Sequence, residues 1–96
     1  NLSKELFYGD ALVFKQLESS SIRLCNNQSK HGFTFSWTEF PFMGIWSAKD
    51  APFVCLEPWC GIADSVNATG ELREKEGMIL LTPGQSTDRT WTIELY

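Results

Sequence analysis

Histidine is nearly absent from this sequence, which has one, His31, among 96 residues. A lone histidine offers no second imidazole for a metal pair, and its spacing to other residues marks no nucleophile–base motif. No glycine-rich loop precedes a helix to cradle phosphate. Long apolar runs are missing too, so nothing approaches bilayer length, and Asn1-Leu2-Ser3-Lys4-Glu5 lacks the apolar core of a signal peptide. Positive charge is scarce and scattered: eight Lys and Arg against twelve Asp and Glu leave a net charge of −4 and a pI near 4.8. A phosphate backbone would be weakly repelled by such a chain. Neither nucleic acid nor a membrane is an expected partner, and no metal site is expected.

Cysteine is present in an odd number. Cys25, Cys55 and Cys60 cannot all pair within one chain, and their spacings match neither a zinc site nor a thioredoxin-type motif. Free thiols in a reducing, cytoplasmic compartment are the expectation. Asn27-Gln28-Ser29 and Asn67-Ala68-Thr69 match the N-glycosylation pattern, which matters only in a secreted protein.

What the sequence has in quantity is period-two alternation. Phe33-Thr34-Phe35-Ser36-Trp37-Thr38 and Trp91-Thr92-Ile93-Glu94-Leu95-Tyr96 alternate aromatic or aliphatic residues with polar ones, as half-buried strands do. Further strands are predicted at Ala11 to Leu17, Ser21 to Cys25, Gly44 to Trp46, Phe53 to Glu57 and Met78 to Thr82, punctuated by Gly, Pro, Asn, Asp and Ser. Their spacing predicts a continuous antiparallel meander. The polar run Asn26 to Gly32 reads as a hairpin connection with a solvated His31 near its tip. Gly70 to Gly77 has helix formers but no apolar stripe, so it reads as a surface loop or one turn. The chain ends on an apolar strand without a polar tail and begins abruptly at Leu2 to Tyr8, the pattern expected of a C-terminal segment. Such a segment, cut from a larger sheet structure, is expected to expose apolar surface and to self-associate.

The stretch richest in chemistry is Phe53-Val54-Cys55-Leu56-Glu57-Pro58-Trp59-Cys60. On a strand Glu57 shares its face with Phe53 and Cys55, so its carboxylate is expected to be partly desolvated, as a general base in sugar chemistry requires. Pro58 is expected to end that strand. Read alone, an isolated glutamate before a proline is an ordinary solvated strand-end residue more often than a catalytic one. Trp46 and Trp59 offer flat faces to the C–H side of a sugar ring, or simply fill a core. Asp10, before the first strand, can accept hydrogen bonds from sugar hydroxyls or serve as a turn residue.

Phe40-Pro41-Phe42-Met43-Gly44-Ile45-Trp46 and Phe53-Val54-Cys55-Leu56-Glu57-Pro58-Trp59-Cys60-Gly61-Ile62-Ala63-Asp64 resemble the C-terminal part of the aldose 1-epimerase (galactose mutarotase) family, especially its LacX-like branch. The likeness extends to Asp10-Ala11-Leu12-Val13-Phe14-Lys15 before and to Leu81-Thr82-Pro83-Gly84 after. It implies that residues 1–96 are the C-terminal segment of one large antiparallel β-sandwich domain, whose N-terminal part lies outside the chain. It also implies interconversion of α and β anomers of an aldose such as galactose or glucose, without metal or organic cofactor. Glu57 then matches the base, and Asp10 and Trp59 are assigned to substrate binding. His31 matches none of the family's histidines, and Cys60 stands where many members have an aromatic residue. A noncatalytic carbohydrate-binding β-sandwich module is the alternative.

Overall fold

The computed structural model describes residues 1–96, and apart from single 3₁₀ turns at Lys4–Phe7 and Leu72–Glu74 its regular structure is entirely strand. The strands are β1 (Leu12–Lys15), β2 (Ser21–Cys25), β3 (Gly32–Thr38), β4 (Phe42–Trp46), β5 (Cys55–Trp59) and β6 (Thr90–Leu95). All pairings are antiparallel and form two three-stranded sheets, β1-β4-β5 and β2-β3-β6. The all-β, antiparallel expectation holds, and two such sheets are the components of a β-sandwich. No helix is long and apolar enough to cross a membrane.

The chain divides into two compact units, each carrying one sheet. In the unit made of Glu18–Phe40 and Leu81–Tyr96, alternation sets the faces. The register opposes Ile22 to Phe35 and Phe35 to Ile93, so the aliphatic and aromatic residues share one side while Arg23, Thr34 and Glu94 share the other. Phe35 stacks on Trp37 at 5.9 Å and meets Trp91 at 6.0 Å. Phe35 and Trp37 are buried, each removal from water contributing on the order of 2–3 kcal/mol. The C-terminal residue locks the sheet: Tyr96 and Gly32 exchange backbone hydrogen bonds of 3.0 and 3.1 Å. Its hydroxyl accepts a 2.7 Å bond from Arg23 Nε, whose guanidinium lies 4.5 Å from the ring centre. That bond holds the Arg23 pKa above its usual value. The β2–β3 connection is the predicted polar turn, in which Asn26 Oδ1 accepts from the Gln28 and Ser29 amides, and His31 is exposed in it.

In the unit made of Asn1–Leu17 and Pro41–Leu80, Phe7, Phe42 and the fully buried Met43 form the core. Trp46 meets Phe53 edge-on at 6.2 Å. The N-terminal turn is tied down by Lys4 Nζ, which donates to the Asp50 carbonyl at 2.9 Å, and by Tyr8, whose hydroxyl donates to Asp50 Oδ1 at 2.5 Å. Because that carboxylate holds the phenolic proton, the Tyr8 pKa lies above its usual value.

Three sequence expectations fail here. There is no meander: after β3 the chain turns through Glu39, with φ of 64°, and β4 pairs with β1 instead of β3. Met78–Thr82 forms no strand. It is bracketed by a turn closing Met78 N onto Lys75 O and another closing Gln85 N onto Thr82 O, and Ile79, Leu80 and Leu81 stay exposed. Pro58 does not end its strand, because β5 runs on to Trp59. β5 is an edge strand, and an edge tolerates proline because the missing N–H can face away from the ladder.

All three cysteines are unpaired, Cys25 exposed and Cys55 and Cys60 half-buried. Thiol titration of the denatured, unreduced protein is expected to find three. A lower value would mean that a pair forms which this fold does not contain.

Candidate functional site

The candidate site is built on β4 and β5. The register pairs Phe42 with Trp59, Gly44 with Glu57 and Trp46 with Cys55, so these side chains stand on one face of the sheet and Met43, Ile45, Leu56 and Pro58 on the other. β1 adds Val13, opposite Gly44, and Lys15, opposite Phe42, to the Glu57 face. Glu57 therefore lies mid-strand among largely apolar neighbours, half-buried. The alternation predicts this face for Glu57.

Gly44 decides the local geometry. A Cβ at position 44 would come within 2.5 Å of Cζ2 and 2.8 Å of Cη2 of Trp59. The indole thus lies directly over the bare backbone of the residue opposite Glu57, and Glu57 and Trp59 stand two residues apart on the same face of β5. Isolated glycine inside a strand signals close approach of another group, and that signal in Phe42-Met43-Gly44-Ile45-Trp46 was available before the fold.

Asp10 is not part of this cluster. It is exposed, and Oδ1 accepts its one side-chain hydrogen bond from the Ala11 amide at 2.7 Å. With Val13 in the same row as Gly44 and Glu57, Asp10 is three residues and two strands removed from Glu57. Asp10 also lies outside β1 itself, in the bend that precedes it. Its φ of 145° is rare for a residue with a side chain. Such strain costs on the order of 1–3 kcal/mol and concentrates at functional positions.

The segment after β5 backs the Trp59 end of the face. Lys15 Nζ donates to both carboxylate oxygens of Glu76 at 2.8 and 2.9 Å, and Lys75 pairs with Asp64 at 3.2 Å. Gly77, with φ of 78°, sits so close to Phe42 and the Cys60 carbonyl that a Cβ would come within 2.6 and 2.8 Å of them. None of these contacts is legible from residue spacing. A hollow of about 310 Å³ opens farther along, lined by Asp64, Glu71, Glu74, Lys75 and Glu76 among others, and it includes neither Glu57 nor Trp59. No group of three His, Cys, Asp or Glu side chains is arranged to hold a metal ion.

Two curated relatives share this chain's pattern. The chain is similar to LacX. The chromosomal and plasmid LacX proteins of Lactococcus lactis subsp. lactis are each 28% identical to it over 96 residues, covering 99% of this chain and 32% of theirs. The chain thus spans about a third of the length of these relatives. No family model matches it, and no solved structure does.

Proposed function

We propose that the chain is a segment of an aldose 1-epimerase-type isomerase in which Glu57 is the general base. The observation that carries this reading is the placement of Glu57 mid-strand on a half-buried face, beside the Trp59 ring. The resemblance of the surrounding words to that family supports it. In the proposed reaction Glu57 takes the proton from the anomeric hydroxyl of an aldose such as galactose or glucose. The electron pair left on that oxygen forms the C=O bond as the C1–O5 bond breaks, and the ring oxygen takes a proton from an acid. Rotation about C1–C2 and closure from the other face, with the proton transfers reversed, give the opposite anomer. The carbon skeleton and its oxidation level are unchanged, so no redox cofactor enters. Trp59 supplies a flat apolar contact to the C–H side of the ring, and Asp10 accepts hydrogen bonds from hydroxyls.

The acid is assigned to sequence outside residues 1–96. The unit that carries Glu57 has no histidine, and His31 is an exposed loop residue in the other unit. That same observation favours, for residues 1–96 alone, the noncatalytic reading, a carbohydrate-binding module that holds an aldose without turning it over. Polarimetry on anomerically pure galactose and glucose separates the two, using a protein of the relatives' full length. Relaxation faster than the spontaneous rate supports the isomerase. Saturable sugar binding with no acceleration sinks the isomerase and leaves the module. Neither signal would remove both.

A further inference from the structure

β6 is the outer strand of its sheet, and its free edge has a specific hydrogen-bonding pattern. Gly32 and Tyr96 exchange both backbone hydrogen bonds, which fixes them as a hydrogen-bonded pair. In an antiparallel ladder such pairs alternate. The register Phe33–Leu95, Thr34–Glu94, Phe35–Ile93, Ser36–Thr92 and Trp37–Trp91 therefore turns the N–H and C=O groups of Thr92 and Glu94 inward to β3. Those of Trp91, Ile93 and Leu95 point away from the sheet. The three residues are also the exposed apolar ones on this strand, at 57%, 47% and 78% exposure. The usual guards of an open edge, lysine and proline, are absent from Thr90–Leu95.

We infer that β6 is a homodimerisation edge, at which a second copy of this chain adds its own β6 antiparallel about a two-fold axis through Ile93. The edge is self-complementary in that register and in no other to the same degree. Centred on Ile93, each outward-facing residue meets another: Ile93 pairs with the partner's Ile93, and Trp91 with the partner's Leu95. All three pairs are of the hydrogen-bonded type, giving about six backbone hydrogen bonds. Thr92 falls opposite the partner's Glu94, so no like charges are juxtaposed. Centring on Glu94 instead would oppose two carboxylates and destabilise the pair. Centring on Thr92 leaves Leu95 without an outward-facing partner within the strand. Paired residues share a face, so Trp91, Ile93 and Leu95 of both copies form one continuous apolar row. The symmetry is closed, so assembly stops at two copies.

Sedimentation of the full chain over a concentration series tests this, with hydrogen exchange of the β6 amides read in parallel. The wild-type chain should pass from one to two protomers as concentration rises, with the amides of Trp91, Ile93 and Leu95 gaining protection in the dimer. Ile93→Pro deletes the outward N–H without removing a bond to β3, a position where edge strands tolerate proline. Two hydrogen bonds per dimer are lost, so the dissociation constant should rise at least tenfold. Ile93→Lys keeps the backbone intact and sets two like charges on the dyad, and it should give a folded monomer by circular dichroism even if the proline variant misfolds. A wild-type chain that stays monomeric throughout overturns the proposal. So does a dimer unaffected by Ile93→Lys, which would place the interface elsewhere. A longer parent protein that is monomeric with these amides already protected also overturns it, the edge then being filled by the parent's own flanking chain.

Discussion

Glu57→Gln, made in a protein of the relatives' full length, is expected to slow anomer interconversion about a hundred- to ten-thousand-fold, the usual worth of a general base. Glutamine keeps the size and hydrogen-bonding reach of glutamate but has no basic carboxylate oxygen, so proton abstraction is lost while packing on the β4–β5 face is preserved. Glu57 stands opposite Gly44, whose backbone the Trp59 ring covers, and an amide occupies the same volume there as a carboxylate does. Circular dichroism and thermal midpoint should therefore stay close to wild type, and sugar affinity should change far less than turnover. His31→Ala in the same protein should leave the rate unchanged, because His31 sits in the exposed β2–β3 turn with its amide bonded to Ser29 Oγ. If Glu57→Gln retained activity within about threefold of wild type, well short of the general-base range, with an unaltered fold, the base would have to be another group. The proposed chemistry would then lose its principal residue.

The strands that alternate cleanly are those the sequence made legible. Ser21–Cys25 forms over the span its pattern predicts, β3 begins one residue earlier than predicted, and β6 is shifted by one residue at each end. Local pattern decides these elements, because each face is set by period-two burial. Pairing order was not legible, because it depends on non-local choices: β1 finds β4 across an intervening hairpin. Pro58 misled for a physical reason. Proline forbids a central ladder position but not an edge, and nothing in Leu56-Glu57-Pro58-Trp59 reveals which position β5 takes. Met78–Thr82 misled because an apolar run reads as a strand whether or not a neighbour exists to pair with it. The site was legible in a different way. The residues around Glu57 predict a half-buried carboxylate and nothing more, and its proposed role as a base rests on the resemblance of Cys-Leu-Glu-Pro-Trp to a known family. The strained φ of Asp10 and the Lys15–Glu76 clamp required the fold.

Gly44→Ala is expected to be the most disruptive single-methyl change on this face. In a strand interior alanine is ordinarily preferred to glycine, since it narrows the unfolded ensemble and stabilises by about 0.4–1 kcal/mol where the backbone allows it. Gly61→Ala should show that ordinary behaviour, because a Cβ there meets nothing within 4 Å. At Gly44 the added methyl would meet three atoms of the Trp59 indole at 2.5 to 3.0 Å, and a rigid bicycle cannot yield as a lysine or methionine tip would. Either the ring leaves its place over the strand or β4 and β5 part, and overpacking of this kind typically costs about 1–3 kcal/mol. Denaturant unfolding of the two alanine variants should therefore move in opposite directions from wild type. The decisive comparison is with Trp59→Leu. If the cost of Gly44→Ala comes from the indole, it should largely vanish in the Trp59→Leu background, leaving a coupling between the two positions on the order of 1–3 kcal/mol, within the range for residues in contact. If the proposed aldose site is right, binding should weaken in both Gly44→Ala and Trp59→Leu, because both remove the flat surface near Glu57. Equal costs of Gly44→Ala in the two backgrounds would show that glycine is needed there for some reason other than Trp59, and the neighbouring ring and carboxylate would no longer count as one site.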